Sequence, residues 1–254
     1  MGMAYDAARQ EVLLFGGSPT QGHDEGALGD TWTWDGSTWT ERAPPTSPPG
    51  RYGMGMAYDA ALREVVLFGG SYSYPDYFGD TWTWDGTTWT QQSSSRFPPS
   101  RVRMGMAYDA LQRQVVLFGG FDGGVQKLGD TWLWDGSQWT MASPATSPDP
   151  REGVAMAYDR TRGLVVLFGG KIGKAPWDRD DTWTWDGSNW TQEPPAPSPS
   201  QRHTAGMAND GTRGRVLLFG GCSVEGLCPM GDTWTWDGAS WTEQAIMNAP
   251  SARK

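Results

Sequence analysis

The sequence Asp30-Thr-Trp-Thr-Trp-Asp-Gly36 decides the fold, because it returns four more times along the chain. The later copies begin at Asp80, Asp130, Asp181 and Asp232, and the third copy carries Leu133 in place of a threonine. The steps between copies are therefore 50, 50, 51 and 51 residues. A constant spacing of this kind indicates a repeat architecture, in which each repeat is one supersecondary unit.

Two further landmarks repeat in the same phase. Leu-Phe-Gly-Gly ends at Gly17, Gly70, Gly120, Gly170 and Gly221, and Met-Ala-Tyr-Asp begins at Met3, Met56, Met106 and Met156 and returns as Met-Ala-Asn-Asp at Met207. Proline-rich stretches such as 44–50 also recur once per repeat, so they are connections between repeats rather than domain linkers. We predict a single domain over residues 1–254, with repeats of about 1–50, 51–100, 101–150, 151–201 and 202–254.

Each repeat contains four short segments with the patterns of β-strands, here taken from the second repeat. Strand a (54–58) alternates large side chains with glycine or alanine, and strand b (64–68) is a nearly continuous apolar run, typical of a strand buried on both faces. Strand c (81–84) alternates threonine with tryptophan, and strand d (88–91) follows the turn signal Asp85-Gly86. The sequence thus predicts an all-β protein of four-stranded antiparallel units.

An antiparallel repeat of about 50 residues with Gly-Gly and Trp-Asp-Gly landmarks resembles the kelch repeat. The resemblance covers the whole chain and points to the kelch-repeat β-propeller family, which includes the central domain of galactose oxidase. It implies a β-propeller of four-stranded antiparallel blades. Kelch propellers usually have six or seven blades, whereas this chain has five repeats. The whole number of repeats predicts a closed ring of five blades, and a ring without an unpaired edge blade predicts a monomer.

Composition and charge narrow the classes of partner. The chain has 20 Lys and Arg against 29 Asp and Glu, and the net charge of −9 predicts that it does not bind nucleic acid. No apolar run approaches the roughly 18 residues of a membrane span, so we expect no membrane association. Many of the carboxylates occupy repeated Tyr-Asp, Gly-Asp and Trp-Asp-Gly positions. The acidity therefore reflects the architecture more than it indicates a partner.

The two cysteines leave the cellular compartment open. Cys222 and Cys228 lie in one loop, where a disulfide in an oxidising compartment and two free thiols inside a cell are equally compatible with the sequence. The chain contains no segment with the pattern of a signal peptide. The localisation is accordingly unknown.

Repetition separates framework residues from candidate functional residues. All tryptophans except Trp177 occupy three fixed positions per repeat, which favours packing between blades over a sugar-binding platform. In an a-b-c-d meander the d–a linkers and the b–c loops emerge on one face, and the b–c loops (18–29, 71–79, 121–129, 171–180 and 222–231) are the variable segments. Binding residues concentrate in variable loops on a rigid scaffold, so we expect function on this face, around the channel.

The candidate ligand-binding residues form two groups. Arg51, Arg101, Arg151 and Arg202 precede strand a in four repeats, with Arg253 as a degraded fifth. Kelch propellers that bind acidic peptides use arginines at this position, and guanidinium groups bind carboxylates bidentately; the alternative is that these arginines anchor the linker. The unrepeated loop residues form the second group: Tyr72, Tyr74, Tyr77, Phe78, Arg103, Phe121, Lys171 and Trp177, together with Glu152, Lys174, Arg179 and His203.

The residues that could carry chemistry give little support for metal or cofactor use. The resemblance includes a copper radical oxidase that needs two His, two Tyr and a Cys, but His23 and His203 are the only histidines here and lie in different blades. His23-Asp24-Glu25 is a small cluster of possible ligands. We expect no copper, zinc or other cofactor, while calcium held by loop oxygens stays open.

The sequence therefore predicts a non-catalytic binding scaffold for a protein, an acidic ligand or a sugar on the loop face. Two alternatives remain. The first is a sugar-processing enzyme of the epimerase or mutarotase kind, which would use Arg151-Glu152 and Arg202-His203 at the channel mouth. The second is a purely structural repeat module with no cognate ligand.

Overall fold

Each repeat folds into one four-stranded antiparallel sheet, and the five sheets follow one another in a ring. The computed structural model describes residues 1–19, 26–124, 126–194, 197–224 and 228–245. These residues contain no helix, and accordingly none long and apolar enough to cross a membrane. The prediction of an all-β, five-bladed β-propeller is confirmed.

The strands are assigned blade by blade. Blade 1 contains β1 (Gly2–Asp6), β2 (Glu11–Gly17), β3 (Leu28–Trp34) and β4 (Trp39–Arg42). Blade 2 contains β5 (Gly55–Asp59), β6 (Glu64–Phe68), β9 (Thr81–Trp84) and β10 (Trp89–Gln92), with β7 (Ser71–Ser73) and β8 (Asp76–Tyr77) as a small hairpin in its b–c loop. Blade 3 contains β11 (Gly105–Asp109), β12 (Gln114–Phe121), β13 (Lys127–Trp134) and β14 (Trp139–Met141). Blade 4 contains β15 (Ala155–Asp159), β16 (Leu164–Phe168), β17 (Thr182–Trp185) and β18 (Trp190–Gln192), and blade 5 contains β19 (Gly206–Asp210), β20 (Arg215–Phe219), β21 (Thr233–Trp236) and β22 (Trp241–Glu243).

Strand b is the buried centre of each blade, as its apolar run predicts. In β6, residues 65–68 are fully buried, because the strand has a neighbour on each edge and a blade on each face. Leu67 is paired with Met56 of β5 on one side and with Trp82 of β9 on the other. Gly69 then adopts a φ of 67°, a conformation that glycine reaches without steric cost, and the chain leaves the sheet.

A tryptophan from strand d joins each blade to the one before it. Trp89 of blade 2 packs edge-on against Phe15 of blade 1 with ring centroids 5.3 Å apart, and its indole N–H donates to Thr31 Oγ1 at 3.0 Å. The next three junctions repeat both contacts through Trp139, Trp190 and Trp241. The predicted role of these tryptophans in packing between blades is confirmed.

The junction between blade 5 and blade 1 lacks these contacts among the described residues. Trp39, the counterpart of Trp89, is 41% exposed, and Met3 is 50% exposed. At the other junctions a methionine sulfur seats against a glycine of the preceding blade, as at Gly55, where a Cβ atom would lie 2.3 Å from the sulfur. At Gly206 of blade 5 only a backbone oxygen lies within 4 Å of that position. Closure of the ring therefore stays a prediction.

The end of the propeller that carries the a–b and c–d turns is called the turn face here. Asp6 accepts hydrogen bonds from two backbone N–H groups of its own a–b turn and forms a 2.7 Å ion pair with Arg9. The Arg9 side chain lies over Gly86 in the c–d turn of blade 2, so the pair also spans the junction. Asp159 and Arg162 repeat the arrangement in blade 4.

Blade 2 has the aspartate of this turn without the arginine. Leu62 stands where blade 1 has Arg9, and Asp59 Oδ2 is buried with no hydrogen-bond partner among the described residues. Burial raises the pKa of Asp59 above its ordinary value. Because a raised folded-state pKa means that ionisation weakens the fold, Asp59 lowers stability as the pH rises through that pKa.

We predict that Leu62→Arg stabilises the protein by about 0.5–1 kcal/mol at pH 7, because it supplies the missing donor to Asp59. Leu62 is exposed and already lies over Gly136 as Arg9 lies over Gly86, so an arginine has room. Urea unfolding at several pH values measures the effect, and the gain should vanish below about pH 4, where the carboxyl is protonated. Leu62→Gln is the uncharged control, and an equal gain from it would contradict the ion-pair explanation.

Candidate functional site

The linker that enters each blade meets the b–c loop of the same blade at one end of the propeller. Antiparallel bridges join Tyr52 to Ser71, Val102 to Phe121, Glu152 to Lys171 and His203 to Cys222. The described parts of the linkers and variable loops therefore lie together, as the meander predicts. We call this end the loop face, and the mouth of the central channel opens on it.

A buried arginine anchors each of these linkers. The Arg101 guanidinium binds Asp130 bidentately, with Nη1–Oδ1 and Nη2–Oδ2 distances of 2.6 and 2.7 Å, and Nη1 also donates to the Gly119 carbonyl at 2.9 Å. Trp132 Nε1 donates to the same carboxylate at 2.6 Å. The pairs Arg51–Asp80, Arg151–Asp181 and Arg202–Asp232 repeat the arrangement. We call this unit the arginine clamp.

The clamps engage the donors of the repeated arginines inside the blade. The four side chains are at most 1% exposed. Burial acts to raise the pKa of Asp80, Asp130 and Asp232, but the hydrogen bonds and charge of the facing arginine outweigh it and hold each pKa below its ordinary value. This geometry fits the interpretation of these arginines as linker anchors, and the site developed below does not use them.

Two residues after each clamp arginine, the linker turns at the channel mouth through a left-handed backbone conformation. The residues are Gly53, Arg103, Gly153 and Thr204, with φ of 66°, 57°, 66° and 55°. Arg103 N donates to Gly53 O, Gly153 N to Arg103 O and Thr204 N to Gly153 O, each at 2.7 Å. A left-handed conformation is unfavourable for a side chain larger than glycine, so Arg103 is held at a conformational cost. Strain of this kind clusters at functional sites.

Two other repeat positions complete the mouth, and their residues differ from blade to blade. The first lies three residues before the clamp aspartate and reads Ala27, Tyr77, Lys127, Asp178 and Pro229. The second follows the clamp arginine and reads Tyr52, Val102, Glu152 and His203. The first position of one blade meets the second position of the next, since Lys127 pairs with Glu152 and Asp178 with His203. We call the residues at these two positions and at the left-handed position the mouth residues.

Glu152 is the centre of a charged cluster in the mouth. The residue is buried, and its carboxylate is shared between Lys127 on Oε1 and Arg103 on Oε2, the latter at 3.4 Å. Arg103 is the exposed member, with 44% of its side chain open to solvent. The cluster contains two cations and one anion, so it presents a net positive charge through Arg103.

The junction between blades 4 and 5 carries a second charged pair. His203 Nδ1 lies 2.8 Å from Oδ1 of Asp178, which is buried. His203 and Arg103 line the same recess of about 490 Å³, together with the disulfide that Cys222 and Cys228 form. The structure thus decides between the disulfide and the free thiols that the sequence left open.

An aromatic cluster occupies the mouth on the side of blades 2 and 3. The ring of Tyr77 stands edge-on to Phe121 and to Tyr74, with centroids 6.2 and 6.3 Å apart. The ammonium group of Lys127 lies 4.1 Å from the Phe121 centroid and so connects the aromatic cluster to the charged one. Burial raises the pKa of Tyr77, whose hydroxyl therefore stays a hydrogen-bonding group at neutral pH.

The remaining predicted site residues lie around this cluster. Tyr72 leans on the b–c loop of blade 1, and the Phe78 ring lies 4.1 Å from the clamp guanidinium of blade 2. Lys171 pairs through its backbone with Glu152, and Trp177 is exposed in the same blade 4 loop. The structure brings together Tyr74, Tyr77, Arg103 and Phe121 from the predicted set, with Glu152 beside them.

Lys127 and Asp178 are mouth residues that the sequence analysis did not select. Both lie in unrepeated loop segments, but neither stands out within its own loop. The signal that identifies them is their shared repeat position with Tyr77, where an aromatic, a cationic and an anionic residue replace one another in successive blades.

Metal binding has no support in the described part of the chain, where no three or more His, Cys, Asp or Glu side chains are grouped to hold an ion. His23, Asp24 and Glu25 lie outside the described residues.

No protein-family model matches the chain, and no curated protein matches it. The resemblance to kelch repeats therefore rests on the repeat pattern itself and stays a prediction.

We predict that Arg101→Ala lowers the free energy of unfolding by about 3–5 kcal/mol at pH 7, because it leaves the Asp130 carboxylate without its partner. Since the pKa of Asp130 is depressed in the folded state, the stabilisation exists above its ordinary pKa and is lost as the pH falls. The difference between wild type and variant should therefore shrink below about pH 4. Urea unfolding measures it, and Arg96→Ala, an exposed arginine in the same linker, should change stability by less than about 0.5 kcal/mol.

Proposed function

We propose that the protein is a non-catalytic binding scaffold of the kelch type, whose site is the channel mouth on the loop face. The observation that carries the proposal is the distribution of sequence variation. The clamps and junction tryptophans recur from blade to blade, whereas the mouth residues change chemical class at every junction. Variation confined to one rim of a rigid frame is the pattern of a recognition surface, because binding residues concentrate on loops that a scaffold positions.

The chemistry of the mouth indicates the class of ligand. Tyr74, Tyr77 and Phe121 provide an aromatic surface on one side, and Arg103 provides an exposed cation on the other. The two charged pairs engage Glu152 and Asp178, so the carboxylates are neutralised while Arg103 keeps solvent access. A ligand that carries a carboxylate beside an apolar face complements this arrangement, since guanidinium groups bind carboxylates and aromatic rings bury apolar surface.

A sugar-processing enzyme remains the second candidate, and one observation favours it. His203 lies against the buried Asp178 on the same recess as Arg103, which is an arrangement that can orient an imidazole for proton transfer. Glu152, the other possible base, has its two oxygens occupied by Arg103 and Lys127, and this supports the binding function over catalysis. Solvent deuterium incorporation into a bound sugar, followed by NMR and abolished in His203→Gln, would establish the enzyme instead.

We predict that Arg103→Gly abolishes binding of carboxylate ligands without unfolding the protein. Glycine already occupies the equivalent position in blades 2 and 4, so the variant relieves left-handed strain and should keep its stability within about 1 kcal/mol. Arg113→Gly is the matched control, because Arg113 also has a left-handed φ, of 58°, but lies on the turn face. Calorimetric titration with an acidic peptide and with a uronic-acid oligosaccharide measures binding.

The expected result is that at least one of the two ligands binds to wild type and to Arg113→Gly, with an affinity that falls as salt is raised, and loses at least about tenfold in Arg103→Gly. Preference for the peptide or the sugar identifies the natural source of the carboxylate. Equal affinity in both variants would move the site away from Arg103. No binding of either ligand to wild type would favour the purely structural alternative.

A further inference from the structure

Asp30 differs from its four equivalents in what it binds. Like them it accepts a hydrogen bond from the first tryptophan of strand c, with Trp32 Nε1 lying 2.6 Å from Oδ2. Its other oxygen, Oδ1, is buried and has no hydrogen-bond partner among the described residues. In the other four blades that oxygen accepts from the clamp arginine at 2.5–2.7 Å.

The four clamps show which chemical group fits beside Asp30. In each, the guanidinium binds both carboxylate oxygens and the carbonyl of the first glycine after strand b, at 2.9–3.1 Å. Blade 1 presents the same acceptors, since Gly16 is the equivalent glycine and has the same left-handed backbone, with a φ of 57°. Gly16, Asp30 and Trp32 line an open recess of about 1170 Å³ that also includes Met1 and Trp39, so the carboxylate can be reached.

The same edge of blade 1 has further unpartnered surface. Trp39 and Met3 are half-exposed, and Tyr5 is 56% exposed, although their counterparts in blades 2 to 4 pack on a preceding blade. In blade 5, Gly206 is the matching seat for a methionine of strand a. The two surfaces are complementary, because each carries the half of the junction that the other lacks.

The geometry of the clamps also shows where a fifth arginine must come from. The Arg101 backbone bonds to the preceding blade, with Arg101 N donating to Phe78 O at 3.1 Å and Gly70 N donating to Arg101 O at 2.9 Å, while its side chain binds its own blade. An arginine that binds Asp30 in this way therefore lies in the linker that follows blade 5. Arg253 has that phase, 51 residues after Arg202, and lies outside the described residues.

We propose that Asp30 and Gly16 form a guanidinium-binding site and that Arg253 of the same chain occupies it. The backbone around Arg253 then bonds to blade 5 while its side chain binds blade 1, and this fifth clamp draws the two edges together. Trp39 packs on Phe219 and Met3 on Gly206 in the closed ring, as their equivalents do at the other junctions. This proposal is independent of the ligand assigned to the mouth.

A double-mutant cycle on the full chain tests the proposal through Asp30→Asn, Arg253→Gln and their combination. Each single variant should lower the melting temperature by about 5–10 °C, because each breaks a buried pair, and the double variant should lower it by no more than either single variant. Asp80→Asn sets the scale, since it breaks a clamp that the structure contains. Lys254→Gln, the neighbouring charge, should have no effect.

The sign of the Asp30→Asn effect makes the test decisive. If the carboxylate has no cation in solution, removing its charge stabilises the protein, and this result overturns the site. Additive single effects, or a silent Arg253→Gln, overturn the assignment of Arg253. Light scattering should give the mass of one chain, 27.8 kDa. A dimer that Arg253→Gln dissociates would show that a second copy supplies the arginine and would overturn the intramolecular closure.

Discussion

The arginine clamp is the interaction on which the rest of the structure depends. One residue bonds by its backbone to the preceding blade and by its guanidinium to the end of strand b and the start of strand c of its own blade. Removal of one partner leaves a buried charge uncompensated, which costs far more than the net worth of the pair, so the clamp is retained as a unit. Because Arg101 is fixed on both sides, residues 102 and 103 emerge at the mouth in a defined position.

The periodic features of the fold followed from the sequence because local physics determines them. An apolar run such as 64–68 is compatible only with a strand covered on both faces, and Asp85-Gly86 with a tight turn. The pairing of Arg51 with Asp80 did not follow, although both residues were recognised as invariant. A guanidinium binds a framework carboxylate and a ligand carboxylate in the same way, so residue type alone left both interpretations open.

The mouth was harder to predict because its residues act in pairs that cross a blade junction. Lys127 with Glu152 and Asp178 with His203 occupy equivalent positions with the signs of charge exchanged. A search within one loop finds no pattern in such residues, whereas the comparison of equivalent positions shows the pairs directly. Their burial fixes the side-chain conformations, and Arg103 is left as a solvent-exposed donor on a backbone that constrains its direction.

The direction of the tryptophan contacts has a consequence for synthesis. Each junction tryptophan reaches back to a blade earlier in the chain, as Trp89 does to Phe15 and Trp139 to Phe68. A blade that leaves the ribosome therefore finds its packing surface already folded, so assembly can proceed one repeat at a time from the N-terminus. Such an order keeps nearly identical repeats from pairing with the wrong neighbour, because at each stage only the most recent blade offers a free edge.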